Sequence, residues 1–528
     1  PHRGTFVARL TERDAEEIYS LRVALETLAA EYAIRYATDE QLDELDALVQ
    51  AMATKVEQGY TEYDSTDLDL VFQTAADLQQ IVTLNSQPSQ NVLLYLDING
   101  QGVLGAGYSD GGSLAISNGV SAASTTGYVG YATGSNGTAT VDGAGSTWTN
   151  SSTLHIGRSG SGTLAVTAGG KVNNTIGYIG DQSGSTGTVT VDGAGSTWTN
   201  SSSLYAGYSG AGTLAITGGG KVTSSSGYIG YNSSSKGTAT VDGDGSTWTN
   251  SSSLYAGYSG TGTLAITAGG KVNNTTGYIG DQSGSTGTVT VDGTGSTWTN
   301  TNQLYVGRSG SGTLNIMGGG KVTSGHSSYG YHSYIGNASG SAGVVTVDGV
   351  DSTWTNNANL YVGSSGSGTL NITNGGLVKV TRDTYIASSS GSVGVIHFDG
   401  GTLDTGSLWA DETKLTGTGT IILHGIISND ALVFDSVDDL TTQSFTYNSQ
   451  PGQNITVRLN IDGQGVLGAG YSGTGSLAIS NDVDALSTIG YIGYASGSTG
   501  TATVDGTGST WTNSSSLYAG YSGAGTLA

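Results

Sequence analysis

The sequence predicts a mainly β protein: a right-handed parallel β-helix, or solenoid, with two coils per 50-residue repeat, preceded by a short all-α fragment. Three observations carry this. Trp148, Trp198, Trp248 and Trp298 recur 50 residues apart, each within Gly-Ser-Thr-Trp-Thr-Asn. Inside each unit Val, Leu and Ile alternate with Thr, Ser and Ala, the period-two signal of short strands with one inward face. Of the 89 glycines only Gly4 and Gly59 fall in the first 80 residues, so two different materials are joined end to end.

The first material is helical. Thr11 with Asp14 reads as a helix start, and Ile18, Leu21, Leu25, Leu28 and Tyr32 follow at helical spacing. Thr38 with Gln41 opens a second helix that carries Leu42, Leu45, Leu48, Val49, Met52 and Val56 on one face. Two such helices cannot bury both apolar faces alone. The stretches Arg3-Gly4-Thr5-Phe6-Val7, Glu17 to Arg22, Leu25-Glu26, Ala29-Ala30 and Thr38 to Leu42 resemble GntR-type bacterial transcription regulators over about residues 1–73. The resemblance implies the start of a ligand-sensing, all-α domain of a cytosolic regulator. The recognition helix that reads DNA in that family would lie upstream. A metal pattern of the family, Asp-x-x-Phe-His, is matched by Asp69 and Phe72, but Gln73 stands where the His belongs. Asp69 alone therefore reads as a solvated helix carboxylate, since a metal site needs several converging ligands.

The second material is the repeats. Trp354 follows Trp298 after 56 residues, with an insertion around Gly325 to Ser333. A longer period is superposed, because Asn85-Ser86-Gln87-Pro88 recurs as Asn448-Ser449-Gln450-Pro451 and Trp148 as Trp511, both offset by 363. Each unit has two related halves, as in Gly187-Thr188-Val189-Thr190-Val191 and Gly212-Thr213-Leu214-Ala215-Ile216. Asp-Gly, Ser-Gly and Gly-Gly pairs between the strands supply tight corners. Three short strands in about 25 residues match one coil, and roughly seventeen coils at about 4.8 Å would make a rod on the order of 80 Å long. Identical coils stacked in register should place Tyr beside Tyr and Thr beside Thr, with an inner column of Val, Leu and Ile. The Trp residues should then lie on one side, two coils apart. Their indoles either pack inward, the arrangement expected here, or form an exposed aromatic stripe.

The expected organisation is an α-helical fragment over 1–75, a junction and lead-in over 76–95, a first solenoid module over 96–430, a spacer over 431–458 and a second module over 459–528. The units, written as Val191 to Trp198, Leu204 to Gly210 and Gly218 to Val222, resemble repeats associated with type V secretion and PEP-CTERM surface proteins. That resemblance implies an exported, autotransporter-like passenger displayed outside the cell, often adhesive. No translocating barrel or sorting signal accompanies it.

Recurring acids invite a catalytic reading, since extended β-helices also house polysaccharide-active enzymes. Asp142, Asp192, Asp242, Asp292, Asp348 and Asp505 each precede Gly in Val-Asp-Gly. A catalytic site breaks a repeat at one place, so these acids read as turn formers. Stacked carboxylates would also repel unless protonated, hydrated or bridged by calcium. His326 and His332 interrupt the period, yet without nearby acids they read as a flanking loop. Gly107-Tyr108-Ser109-Asp110-Gly111 has the letters of a nucleophile elbow without its strand-to-helix setting. Thr138-x-Thr140 and Thr147-x-Thr149 could form threonine ladders, expected to be interrupted at every second coil. Tyr205 with Tyr208, and Tyr255 with Tyr258, are candidates for stacking on sugar rings.

A formal charge of -24 argues against a nucleic-acid or anionic-membrane surface. There are no cysteines, and no apolar run is long enough to span a bilayer. The first twenty residues lack the apolar segment of a signal peptide. The chain starts at Pro1 and stops inside a repeat at Ala528, which reads as truncation at both ends. The expectation is a non-catalytic surface or secreted repeat protein, adhesive or structural, with no catalytic, metal or cofactor-binding residues and no cofactor. Glycans or neighbouring cell surfaces are its expected partners. The alternatives are a truncated GntR-type regulator in a chimeric reading frame and a β-helical polysaccharide-active enzyme.

Overall fold

A computed structural model describes residues 68–72, 79–84, 92–97, 99–326, 330–435 and 442–528. The two helices expected between Thr11 and Val56 lie outside the described residues. The described residues are mainly β, a parallel β-solenoid of about 17 turns with almost no helix. Among the described residues the helical content is one 3-10 turn, Glu412–Lys414.

One coil runs through three strands. Thr186–Asp192, Thr197–Asn200 and Ser203–Ala206 form one coil, and Ala211–Thr217, Lys221–Ser224 and Ser226–Ile229 form the next. Each strand pairs in parallel with its counterpart one coil on: Thr188 with Thr213, Thr197 with Lys221, Tyr205 with Tyr228. The stack therefore has three faces, here called the long face, the Trp face and the Tyr face. Alternation along each strand sends Val189, Val191, Trp198 and Leu204 inward, where all are fully buried, and leaves Thr, Ser, Lys and Tyr outside.

The Trp spacing follows the expected pattern. Val172 pairs with Trp148 on one side and Trp198 on the other, so two coils, about 9.6 Å, separate successive indoles. All five indoles from Trp148 to Trp354 point inward and are buried. The cause of the two-coil repeat is steric. A Cβ on Gly177 would sit 2.7 Å from Cζ2 of Trp198 in the coil above, and Gly227 has the same relation to Trp248. A coil with Trp and Leu is thus followed by a coil with Val and Gly, large over small, which keeps the core dense without voids.

A polar ladder runs beside the indoles. Asn174 Nδ2 donates to Asn200 Oδ1 at 2.6 Å and Ser224 Oγ donates to Asn250 Oδ1 at 2.6 Å, one coil apart in each case. Each indole N–H from Trp148 to Trp354 is satisfied by the same ladder, as Trp198 Nε1 to Asn174 Oδ1 at 2.7 Å and Trp354 Nε1 to Ser324 Oγ at 2.9 Å. These indole donors thereby avoid the penalty of an unmade hydrogen bond, whereas Asn150 Nδ2 and Asn250 Nδ2 in the same ladder are buried without a partner among the described residues.

The lead-in differs from expectation at one place. Leu68–Phe72, assigned by sequence to the helical fragment, is a strand parallel to Gly111–Ile116, with Asp69 opposite Ser113. Asp69 is therefore not on a helix. The strand Leu-Asp-Leu-Val-Phe covers the open edge of the first long-face strand, which an uncovered stack would leave ready for pairing. An antiparallel hairpin follows, Gln79–Leu84 with Val92–Asp97. The same hairpin recurs as Thr442–Tyr447 with Asn454–Asn460, at the 363-residue offset.

Within the expected spacer, residues 431–434 and 454–458 pair with the stack. Ala431–Phe434 pairs with Thr474–Ile479, and Asn454–Asn460 pairs with Leu415–Ser428, which in turn pairs with Val393–Trp409. Gln453 Nε2 ties the hairpin turn down by donating to Leu415 O at 2.6 Å. Strand pairing thus continues from the first module into the second.

Candidate functional site

The outward side chains form long rows, because each coil lays its residues over the same positions of the coil below. On the Tyr face one row consists of Tyr128, His155, Tyr178, Tyr205, Tyr228, Tyr255, Tyr278, Tyr305, Tyr334, Tyr361, Tyr385 and Trp409, with successive ring centroids 4.6 to 5.2 Å apart. The rings are near parallel, from 0° to 26° between planes. Trp409 then meets Tyr494 edge-on at 4.8 Å, which carries aromatic contact across the module junction. The row is half-buried. Each ring covers the face of the next, so edges and hydroxyls are what solvent meets.

A second row runs along the adjacent corner. Tyr208, Tyr231 and Tyr258 stack at 5.0 and 4.9 Å, and each meets the main row edge to face, as Tyr205 with Tyr208 at 5.1 Å. The pairs read from sequence are therefore T-shaped neighbours whose stacking partners are their own copies one coil away. Arg158 continues the corner row over Tyr131, 4.5 Å from its centroid.

Two buried carboxylates interrupt the corner row. Asp281 accepts from Arg308 Nη1 at 2.9 Å and from Gln282 Nε2 at 2.6 Å. Asp181 Oδ2 lies 3.0 Å from His155 Nδ1, whose Nε2 lies 3.0 Å from Thr153 Oγ1. His155 is the one imidazole in the row, and sequence reading passed over it. The available signal was its place where the other units carry Tyr205, Tyr255 and Tyr305.

Burial, followed by repulsion from neighbouring phenolates, pushes Tyr178 and Tyr334 up to about 12. Burial likewise pushes Tyr255 up to about 12, against a lowering hydrogen bond from Ser253. The folded values exceed the ordinary 10.0, so this contribution to stability is complete below pH 10 and is lost as pH rises through about 12. Phenolate absorbance during an alkaline titration should therefore lag the free tyrosine curve and rise together with loss of the β circular-dichroism signal. Ordinary titration near 10 with the fold intact would contradict the stack.

The long face carries an unbroken threonine row, Thr138, Thr163, Thr188, Thr213, Thr238, Thr263, Thr288 and Thr313. The expected interruption affects the neighbouring column, where Thr140, Thr190, Thr240 and Thr290 alternate with Ala165, Ala215 and Ala265. Both halves keep Thr directly after Gly, and that offset decides which column is continuous.

Carboxylates do not stack on carboxylates. Asp142, Asp192 and Asp242 alternate with Thr167, Thr217 and Thr267, whose hydroxyls donate to them at 2.6, 2.6 and 2.5 Å. This removes the repulsion that would have called for bridging calcium. No cluster of three or more metal-ligating side chains occurs among the described residues.

His326 forms an isolated antiparallel bridge with Tyr331. His332 Nδ1 accepts from Asn359 N at 3.3 Å, and burial holds its imidazole below the usual range, with Arg382 adding to the effect. Ser109 lies in the corner between Val103–Ala106 and Gly111–Ile116, a strand-to-strand turn.

Residues 17–76 match the FCD domain, the sensor domain of GntR-type regulators. The match includes the strand Leu68–Phe72. The chain matches no curated protein and no solved structure. Among the described residues no helix is long and apolar enough to cross a membrane.

Proposed function

We propose that this chain is a non-catalytic surface or secreted β-helical repeat protein, passenger-like, whose outward rows serve adhesion or structure. The observation that supports this reading is the recurrence of the same outward residues coil after coil, with function spread along a surface and not gathered at one place. His155 is the local departure, and Asp181, His155 and Thr153 have triad-like spacing. Residues 154–156 and their neighbours pair on both sides, which commits backbone N–H groups that an oxyanion hole would need. The His therefore acts as a member of the row.

Glycans or neighbouring cell surfaces fit as partners, met by ring edges, hydroxyls and amides because the ring faces cover one another. The purified full chain is expected to bind at least one member of a panel of immobilised neutral and acidic polysaccharides, and to release no unsaturated products from pectin or alginate. Binding to none of them would sink the adhesive reading, and product release would make the chain an enzyme.

A second reading is favoured by the FCD match: residues up to about 76 are a sensor-domain fragment joined to unrelated repeats. Independent genomic sequencing across the codons for residues 65–90 tests whether that junction is natural.

A further inference from the structure

We propose that the outer side of the Trp face binds an extended acidic polysaccharide that carries one negative group per roughly 10 Å. This inference rests on the adhesive reading and gives it a place and a ligand class.

One outward column of that face reads Lys171, Thr197, Lys221, Thr247, Lys271, Thr297 and Lys321, each paired in register with the next. The four ammonium groups are exposed and make no ion pair among the described residues, and they recur every second coil, about 9.6 Å apart over roughly 29 Å. Two residues along each strand, a parallel column of Asn173, Thr199, Thr223, Thr249, Asn273 and Thr299 presents neutral amides and hydroxyls. No Asp or Glu lies in either column between Thr147 and Thr355.

The chain's net charge does not oppose an anionic partner here. Residues 99–326 hold seven Lys and Arg against eight Asp, and four of those seven cations are in this one column. Of the acids, Asp181 and Asp281 are buried beside His155 and Arg308, while Asp142, Asp192 and Asp242 each accept a threonine hydroxyl.

Spacing selects the class of polymer. At physiological salt charges are screened over about 8 Å, so lysines this far apart repel weakly and each seeks its own counter-charge. Phosphates in nucleic acid recur about every 3.4 Å along a strand, too densely for one contact per lysine, and this face offers no exposed aromatic ring for bases. A linear polysaccharide with one carboxylate per disaccharide, lying along the rod axis, presents its charges to the lysines and its hydroxyls to the Thr and Asn column between them.

The test uses the full chain, immobilised hyaluronan as the acidic polymer with one carboxylate per disaccharide, and dextran as the neutral one. Hyaluronan should retain the protein, less so as salt rises. K221T/K271T should lower the affinity roughly tenfold, on the scale of two exposed charge contacts. Threonine already occupies this column in alternate coils, so the variant keeps the fold, and an unchanged circular-dichroism spectrum verifies it. K236T removes one charge from the long face and should leave binding unaltered. Equal retention by dextran, indifference to K221T/K271T, or tighter binding of a single-stranded oligonucleotide would overturn the proposal while leaving adhesion standing. Retention by neither polymer, with binding elsewhere in the wider panel, would overturn it too.

Discussion

Replacement of Trp248 by alanine is expected to destabilise its neighbourhood by about 3–5 kcal/mol, the usual cost of emptying a large buried aromatic site. The indole is fully buried, donates to Ser224 Oγ at 3.3 Å and lies against Gly227. Each coil contacts only its neighbours, so the damage should stay local, and urea unfolding should broaden or split instead of shifting as a whole. Hydrogen exchange should accelerate in Lys221–Ile229 and Thr247–Ala256 while Thr153–Ile179 keeps its protection. A second substitution tests the large-over-small account. Gly227→Ala alone should destabilise, because its Cβ would stand 2.7 Å from Trp248 Cζ2. In the Trp248→Ala background that particular clash is gone and the same substitution should cost less, a coupling read from a double-mutant cycle. An unchanged unfolding profile for Trp248→Ala would refute the indole's role in the core.

The solenoid was legible because its repeat is written at two scales, the 50-residue Trp period and the period-two alternation within strands. The polar neighbours Thr197 and Thr199 required only that Trp198 face away from them, and inward packing was expected because an exposed stripe of indoles invites aggregation. Stacking of Tyr beside Tyr and Thr beside Thr was legible as well, from identical coils in register, and the Tyr and Thr rows bear it out; what escaped was how the two unlike halves of a unit lie over each other. Tyr178, Tyr205 and Tyr228 are separated by 27 and 23 residues in alternation, because the two halves place their corners differently. Tyr205 and Tyr208, offered together as a platform for sugar rings, meet edge to face, and the ring faces of Tyr205 are covered by Tyr178 and Tyr228. Because neighbouring coils are unlike halves, Lys alternates with Thr and Asp with Thr, which hid the Lys and Thr column and made the Asp residues look like a ladder. Leu68–Phe72 was missed for another reason: five residues beside a helical pattern, without a clean period-two alternation, acquire a strand partner only once Gly111–Ile116 presents an edge.

Gly237→Ala is expected to be more damaging than its single methyl group suggests. Its added Cβ would stand 2.2 Å from Ala206 O and 2.3 Å from Gly230 N, both backbone atoms held by strand pairing. No side chain can swing aside, so relief requires two coils to separate, and the loss should exceed the about 4 kcal/mol that marks an exceptional substitution. The same place is glycine in coil after coil, as Gly162, Gly187, Gly212, Gly262, Gly287 and Gly312, each with a backbone atom within 2.6 Å of its would-be Cβ. Gly184→Ala is the contrasting variant. Gly184 has φ +82 but nothing within 4 Å of its would-be Cβ, so only the left-handed backbone is penalised, by about 1–2 kcal/mol. The equivalent place in the next Trp unit already holds Ser234. Thermal melts of the two variants should separate clearly, with Gly237→Ala poorly soluble or melting far below the parent and Gly184→Ala close to it. Equal melting temperatures would mean that the coils are not packed backbone against backbone at this corner.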